Sequence, residues 1–290
     1  MAGPTFAERV RQAVRGSGTP LIVGIDPAPE ELPAQTASLA PADRARVYGL
    51  AAVEAARTGG ATGVKVQAAF FEALGPEGLN VFAEVLRAAR GMGLLTIADV
   101  KRSDVGHTAK AYARAYLGPE APFRADAVTV TPYVGSDGVR PFLEAAARDG
   151  SGVLILVRTS NVGGNEVQQL IADDGARVFE RVAALLPSWI RIAGVPPGTL
   201  GVVIGATQSA DAARLRAALP DSVILAPGFG AQGGEAVALQ ALLDDRGGGL
   251  LVPVSRGISQ ACRDARDWRQ ALVEGVTETK RQLRVALPSS

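Results

Sequence analysis

Cysteine and histidine are nearly missing from this chain: Cys262 and His107 are the only examples of each in 290 residues. A single thiol excludes an internal disulfide framework, and the pair argues against a metal centre built from the usual soft ligands. Surplus charge of either sign is lacking too. With 30 Lys plus Arg against 29 Asp plus Glu, no overall field draws the chain to nucleic acid or to a membrane surface, so an anionic ligand must be held by a local site. No apolar run is long enough to span a bilayer. The first ten residues bring in Glu8 and Arg9 too early for the apolar core of a signal peptide, so the expected location is the cytoplasm.

What the chain has instead is apolar content, 47% of its residues, spread without a compositional break. That suffices for a large core, and although the length allows two domains, nothing marks a boundary between them. Short runs rich in Val, Ile and Leu occupy 21–26, 63–67, 94–101, 127–131, 153–158, 202–205, 223–227 and 250–254. Each ends in polar or glycine-containing residues and precedes a longer stretch. In 42–57, 78–90, 138–148 and 209–218 apolar residues recur at spacings of three and four, the period of an amphipathic helix. Near-continuous apolar strands are buried on both faces, which points to a parallel sheet covered by helices. Eight strand–helix units predict an α/β fold, a closed (β/α)8 TIM barrel in one domain over 1–290, with a doubly wound sheet as the structural competitor. The segment 161–197 is longer than one connection needs and is expected to hold a loop plus an extended or double helix.

Active sites of such barrels lie at the carboxyl ends of the strands. The polar residues that end the runs are Asp26, Lys65 with Gln67, Asp99 with Lys101, Thr131, Arg158 with Thr159 and Ser160, Thr207, Gly228, and Ser255 with Arg256. Side chains alternate along a strand, so Asp99 and Lys101 share one face, as do Lys65 and Gln67. Two lysines and an aspartate then converge in the barrel mouth. Burial alone would strip such lysines of their protons, whereas interleaved carboxylates keep them as ammonium groups. Taken singly, these features have ordinary structural explanations: Asp99-Val100-Lys101 as a salt-bridged strand end, Asp104 as the cap of a helix starting near Val105, and the glycines from 228 to 234 as a turn. The presence of Lys65 beside the first weakens that explanation. His107 reads as a first-turn helix residue, and Cys262, Trp189 and Trp268 as packing.

The stretch Ile97-Ala98-Asp99-Val100-Lys101-Arg102-Ser103-Asp104, continued by Val105-Gly106-His107-Thr108-Ala109, resembles the third-strand signature of the orotidine 5'-monophosphate decarboxylase family, in particular its longer bacterial subgroup. Further segments resemble the family in the same order. They are Gly24-Ile25-Asp26-Pro27 for the first strand, Lys65-Val66-Gln67-Ala68-Ala69-Phe70-Phe71-Glu72 for the second, Thr129-Val130-Thr131-Pro132-Tyr133 for the fourth and Arg158-Thr159-Ser160-Asn161 for the fifth. Ala226-Pro227-Gly228-Phe229-Gly230-Ala231-Gln232-Gly233-Gly234 and Val254-Ser255-Arg256-Gly257 resemble the seventh and eighth strand ends, so the likeness spans nearly the whole chain. Val66 and Val162 depart from prolines common at those places.

The resemblance implies decarboxylation of orotidine 5'-monophosphate to uridine 5'-monophosphate (UMP) in pyrimidine biosynthesis, without cofactor or metal, by a homodimer. It assigns catalysis to Lys65, Asp99, Lys101 and Asp104, with Asp104 reaching into the partner's site. It assigns substrate binding to Asp26 at a ribose hydroxyl, Thr108, Thr159 or Ser160 at the pyrimidine edge, Gln232 between base and phosphate, and Gly228, Gly233, Gly234 and Arg256 at the phosphate. Glycines let that loop approach phosphate oxygens and close as a lid, and Arg256 supplies a planar bidentate cation. Two rivals stand beside this expectation. A related Mg2+-dependent sugar-phosphate decarboxylase shares the Asp-x-Lys-x-x-Asp pattern, yet it needs a further carboxylate at the second strand end, where this chain has Lys65. A barrel that binds nucleotides without catalysis would have to carry the cost of charged groups in its mouth for no chemical return.

Overall fold

The computed structural model of the chain describes residues 3–230, 236–246 and 248–287. Its eight strands are β1 (Leu21–Ile25), β2 (Gly63–Gln67), β3 (Leu95–Arg102), β4 (Ala127–Val130), β5 (Gly152–Arg158), β6 (Leu200–Ile204), β7 (Val223–Leu225) and β8 (Leu250–Val254). All neighbours pair in parallel and in sequence order, and β8 returns to β1 with Leu21 beside Val252 and Val23 beside Val254. That closure makes the fold a (β/α)8 barrel and excludes the doubly wound alternative. Helices Pro41–Thr58, Gly75–Gly91, Ser136–Ala147 and Ser209–Ala218 cover the four stretches with helical periodicity. The connection after β5 holds a short helix Gly164–Gln168, an antiparallel bridge between Ile171 and Arg177, and the longer helix Val178–Ala193. Among the described residues, no helix is long and apolar enough to cross a membrane.

The apolar residues sort by strand parity into two regions. One face of each strand packs against the helical ring, as Val23, Val64, Val128, Val153 and Val202 do. The other face fills the barrel, where Ile22, Leu95, Ile97, Ala127, Leu154, Val203, Leu225 and Leu251 interlock. A helix that the strand pattern does not announce, Phe6–Ser17, completes this inner region from the amino-terminal end of the strands. Its first turn is fixed by a capping box between Thr5 and Glu8, and it adds Phe6, Ala7 and Val10 to the inner cluster. Gly152 makes room for it: a Cβ there would stand 2.2 Å from the Phe6 ring. With that end filled, the cavity described below opens at the carboxyl ends of the strands.

Two strands lose their regular register near those ends. β3 shifts against β4 between Ala98 and Arg102, and β5 shifts against β6 between Leu156 and Arg158. Such irregularities re-aim the side chains that follow them.

Candidate active site

Lys65, the middle residue of β2, points inward, and its ammonium lies 2.7 Å from Asp99 Oδ2 on β3 and 3.7 Å from Asp26 Oδ1 beyond β1. Lys101 reaches the other oxygen of Asp99, Oδ1, at 2.6 Å. Asp99 also accepts hydrogen bonds from Gln67 Nε2 at 3.0 Å and from the Thr129 hydroxyl at 2.9 Å. Burial pushes the Asp99 carboxyl up, but Lys65 and Lys101 outweigh it and hold the group well below the usual carboxylate range. Burial likewise pulls Lys65 down, and Asp99 with Asp26 more than offsets that, so Lys65 is held as a cation. Asp26 Oδ1 is buried and accepts no hydrogen bond within the described residues.

Lys101 is the one non-glycine residue among the described ones with a positive φ, 45°. A left-handed conformation costs an L residue roughly 1–2 kcal/mol. Strain of this kind persists only where the surroundings impose it, and it clusters at functional sites.

Above this array lies a cavity of about 540 Å3 at the carboxyl ends of the strands. Of the residues expected from the sequence, Asp26, Lys65, Asp99, Lys101, Thr159, Ser160, Gly228 and Arg256 line it, and Leu156, Val203, Leu225 and Pro253 form an apolar wall. Arg256 begins the helix Arg256–Cys262 after β8. Thr159 and Ser160 differ in their bonding. The Thr159 hydroxyl donates to Asn161 Oδ1 at 2.7 Å and accepts from Gln168 Nε2 at 2.8 Å, so it is occupied within the chain. Ser160 packs tightly on Gly205, where any Cβ would come within 2.9 Å of it.

Asp104 and Thr108 do not line this chain's own cavity. Asp104 accepts from the Val105 amide at 2.8 Å, and Thr108 sits in the first turn of the helix Gly106–Tyr116. Gln232, Gly233 and Gly234 lie outside the described residues. Three strand-end candidates are corrected. Arg158 faces away from the cavity: it is 2% exposed and bonded to Asp211, Asn165, Gln168 and Gln208. The register shift in β5 breaks the alternation that would have turned it inward. Thr131 bonds the Lys101 carbonyl at 3.4 Å instead of facing the cavity, and Thr207 is likewise absent from its lining. The fourth-strand residue that does enter the site is Thr129, two positions earlier on the inward face shared with Ala127. Alternation from Ala127 would have found it. Among the described residues no group of three or more His, Cys, Asp or Glu side chains is arranged to hold a metal ion.

The sequence compares closely with known proteins along this whole framework. An orotidine 5'-phosphate decarboxylase from Rhodopirellula baltica is 38% identical over 300 aligned positions, covering 97% of this chain and 99% of the relative. One from Deinococcus radiodurans is 38% identical over 261 positions, covering 89% and 90%. The solved structure of Leishmania donovani OMP decarboxylase superposes with a TM-score of 0.78 at 30% identity, covering 99% of this chain and all of that one. The profile of the Orotidine 5'-phosphate decarboxylase / HUMPS family matches residues 19–271, and with the barrel and the lysine–aspartate array this establishes that the chain belongs to that family.

Proposed function

We propose that this chain decarboxylates orotidine 5'-monophosphate to UMP without a cofactor, with Lys101 as the group that acts at C6 of the pyrimidine. The observation that carries the reading is the Lys65–Asp99–Lys101 array, with contacts of 2.7 and 2.6 Å at the cavity. Breaking the bond between C6 and the carboxylate leaves the electron pair on C6 as CO2 departs. An ammonium already held in place stabilises that pair without reorganising, then passes its proton to C6 as general acid. Asp99 keeps Lys101 positioned through the 2.6 Å contact. Lys65, buried between Asp99 and Asp26, fixes both carboxylates, and Asp26, which lines the cavity, suits a ribose hydroxyl donor. Because the Thr159 hydroxyl is engaged by Asn161 and Gln168, Ser160 is the better reader of the pyrimidine edge. Arg256 and the backbone at Gly228, with Gly233 and Gly234, are assigned to the phosphate, whose remote binding energy helps fix the reacting geometry, and Gln232 is assigned between base and phosphate. Asp104, outside its own cavity, is assigned to the partner's site in a homodimer.

The test is direct. Chelator-treated protein mixed with orotidine 5'-monophosphate should convert it to UMP, followed by ultraviolet absorbance. No conversion defeats the proposal, and conversion only after Mg2+ is added favours the metal-dependent branch of the family.

A further inference from the structure

The β3 irregularity that carries Lys101 is tied down by one side chain. Thr129, 1% exposed on β4, accepts hydrogen bonds from the Val100 and Lys101 amides, both at 2.9 Å, and donates to Asp99 Oδ1 at 2.9 Å. Consecutive amides of a regular strand point to opposite sides, so one acceptor cannot serve both. Here, where β3 shifts its register against β4 between Ala98 and Arg102, both amides meet the same oxygen, immediately before the left-handed Lys101. A hydroxyl has one proton and two lone pairs. With both lone pairs taken by amides, its proton is directed at Asp99, an acceptor-only group in its ionised form.

From this geometry we infer that Thr129 is a positioning residue: its hydroxyl holds the strained Lys101 backbone and the Asp99 carboxylate in one fixed relation, which sets where the Lys101 ammonium stands. The inference rests on the proposed decarboxylation. It touches the charge array alone, since Thr129 has no part in the groups assigned to phosphate or base. Thr129→Val keeps the shape and removes all three bonds, whereas Thr129→Ser keeps the hydroxyl.

The experiment compares kcat, KM and the Kd for UMP in the wild type, Thr129→Val and Thr129→Ser. Loss of hydrogen bonds to a charged group and to two buried amides is expected to lower kcat about 10- to 100-fold in Thr129→Val. The Kd for UMP should stay within about threefold, and Thr129→Ser should recover kcat to within about threefold of wild type, both differences being below the effect of one such bond. Thr129→Ala, expected to behave as the valine variant, serves if that one does not fold. A kcat unchanged without the hydroxyl overturns the inference, as does failure of serine to rescue. Equal losses in kcat and UMP affinity also overturn it, because they signify general disruption of the site. A wild type that converts no substrate defeats the functional reading and this inference together, which separates that failure from the others.

Discussion

Asp99 is where the charges of the site meet, and its surroundings divide the work between two lysines. Its oxygens receive Lys65 and Gln67 on one side and Lys101 and Thr129 on the other. Four donors use the lone-pair capacity of a carboxylate, so the group is held in one orientation. The lysines differ in access: the Lys65 side chain is 9% exposed and that of Lys101 46%. Lys65 therefore serves as the buried anchor, while Lys101 stands where a ligand in the cavity can meet it. Lys101→Ala should lower turnover by at least about 10²-fold, the scale for removing one preorganised charge from a developing anion. Binding of UMP, which carries no such anion, should change little. Measured kcat beside UMP affinity checks this, and a loss of less than about tenfold in kcat would refute the role of Lys101, given the size of effect expected.

At the scale of elements, apolar periodicity made the barrel legible and broken periodicity hid parts of the site. The runs that became β1 to β8 are apolar on both faces because each strand is pressed between the inner cluster and the helices. Lys65, Asp99 and their convergence followed from alternation alone. Arg158 did not follow, because a register shift is a backbone event with no signature in residue type. Thr129 is masked by Thr131 for a related reason, since the polar residue that ends the apolar run lies beyond the inward face that Ala127 and Thr129 share. Helix Phe6–Ser17 was equally unannounced, lying outside the strand–helix alternation. Its role gives a prediction at this scale: Phe6, 1% exposed against Gly152, seals the end of the barrel opposite the cavity. Phe6→Ala should cost about 3 kcal/mol of stability. For a chain of this size that is a fall in Tm of roughly 6–12 °C. Near wild-type kcat is expected at a temperature where the variant is folded. A Tm within about 2 °C of wild type would show that the helix does not close the barrel, as it is under 1 kcal/mol.

The whole molecule presents an uneven rim around its cavity. Val105, Tyr133 and Val162, at the ends of the adjacent strands β3, β4 and β5, are 51%, 88% and 86% exposed. Asp104 lies beside Val105 on that side, outside its own cavity. In the proposed homodimer, apolar side chains at one edge of the site would be covered by another copy of the chain, and a two-fold arrangement would carry each Asp104 towards the opposite cavity. Shared sites of this kind have a consequence that local sites lack. Lys101→Ala and Asp104→Ala homodimers should both be inactive, and when they are unfolded and refolded together, each hybrid should contain one doubly defective site and one intact site. Random pairing makes about half of the dimers hybrid, so roughly a quarter of wild-type activity should return if the two sites work independently. Were Asp104 to serve its own subunit, every site in every hybrid would still lack one essential group. Differently tagged chains establish that exchange has occurred, and with exchange established, mixtures that stay inactive would rule out the contribution of Asp104 across the interface.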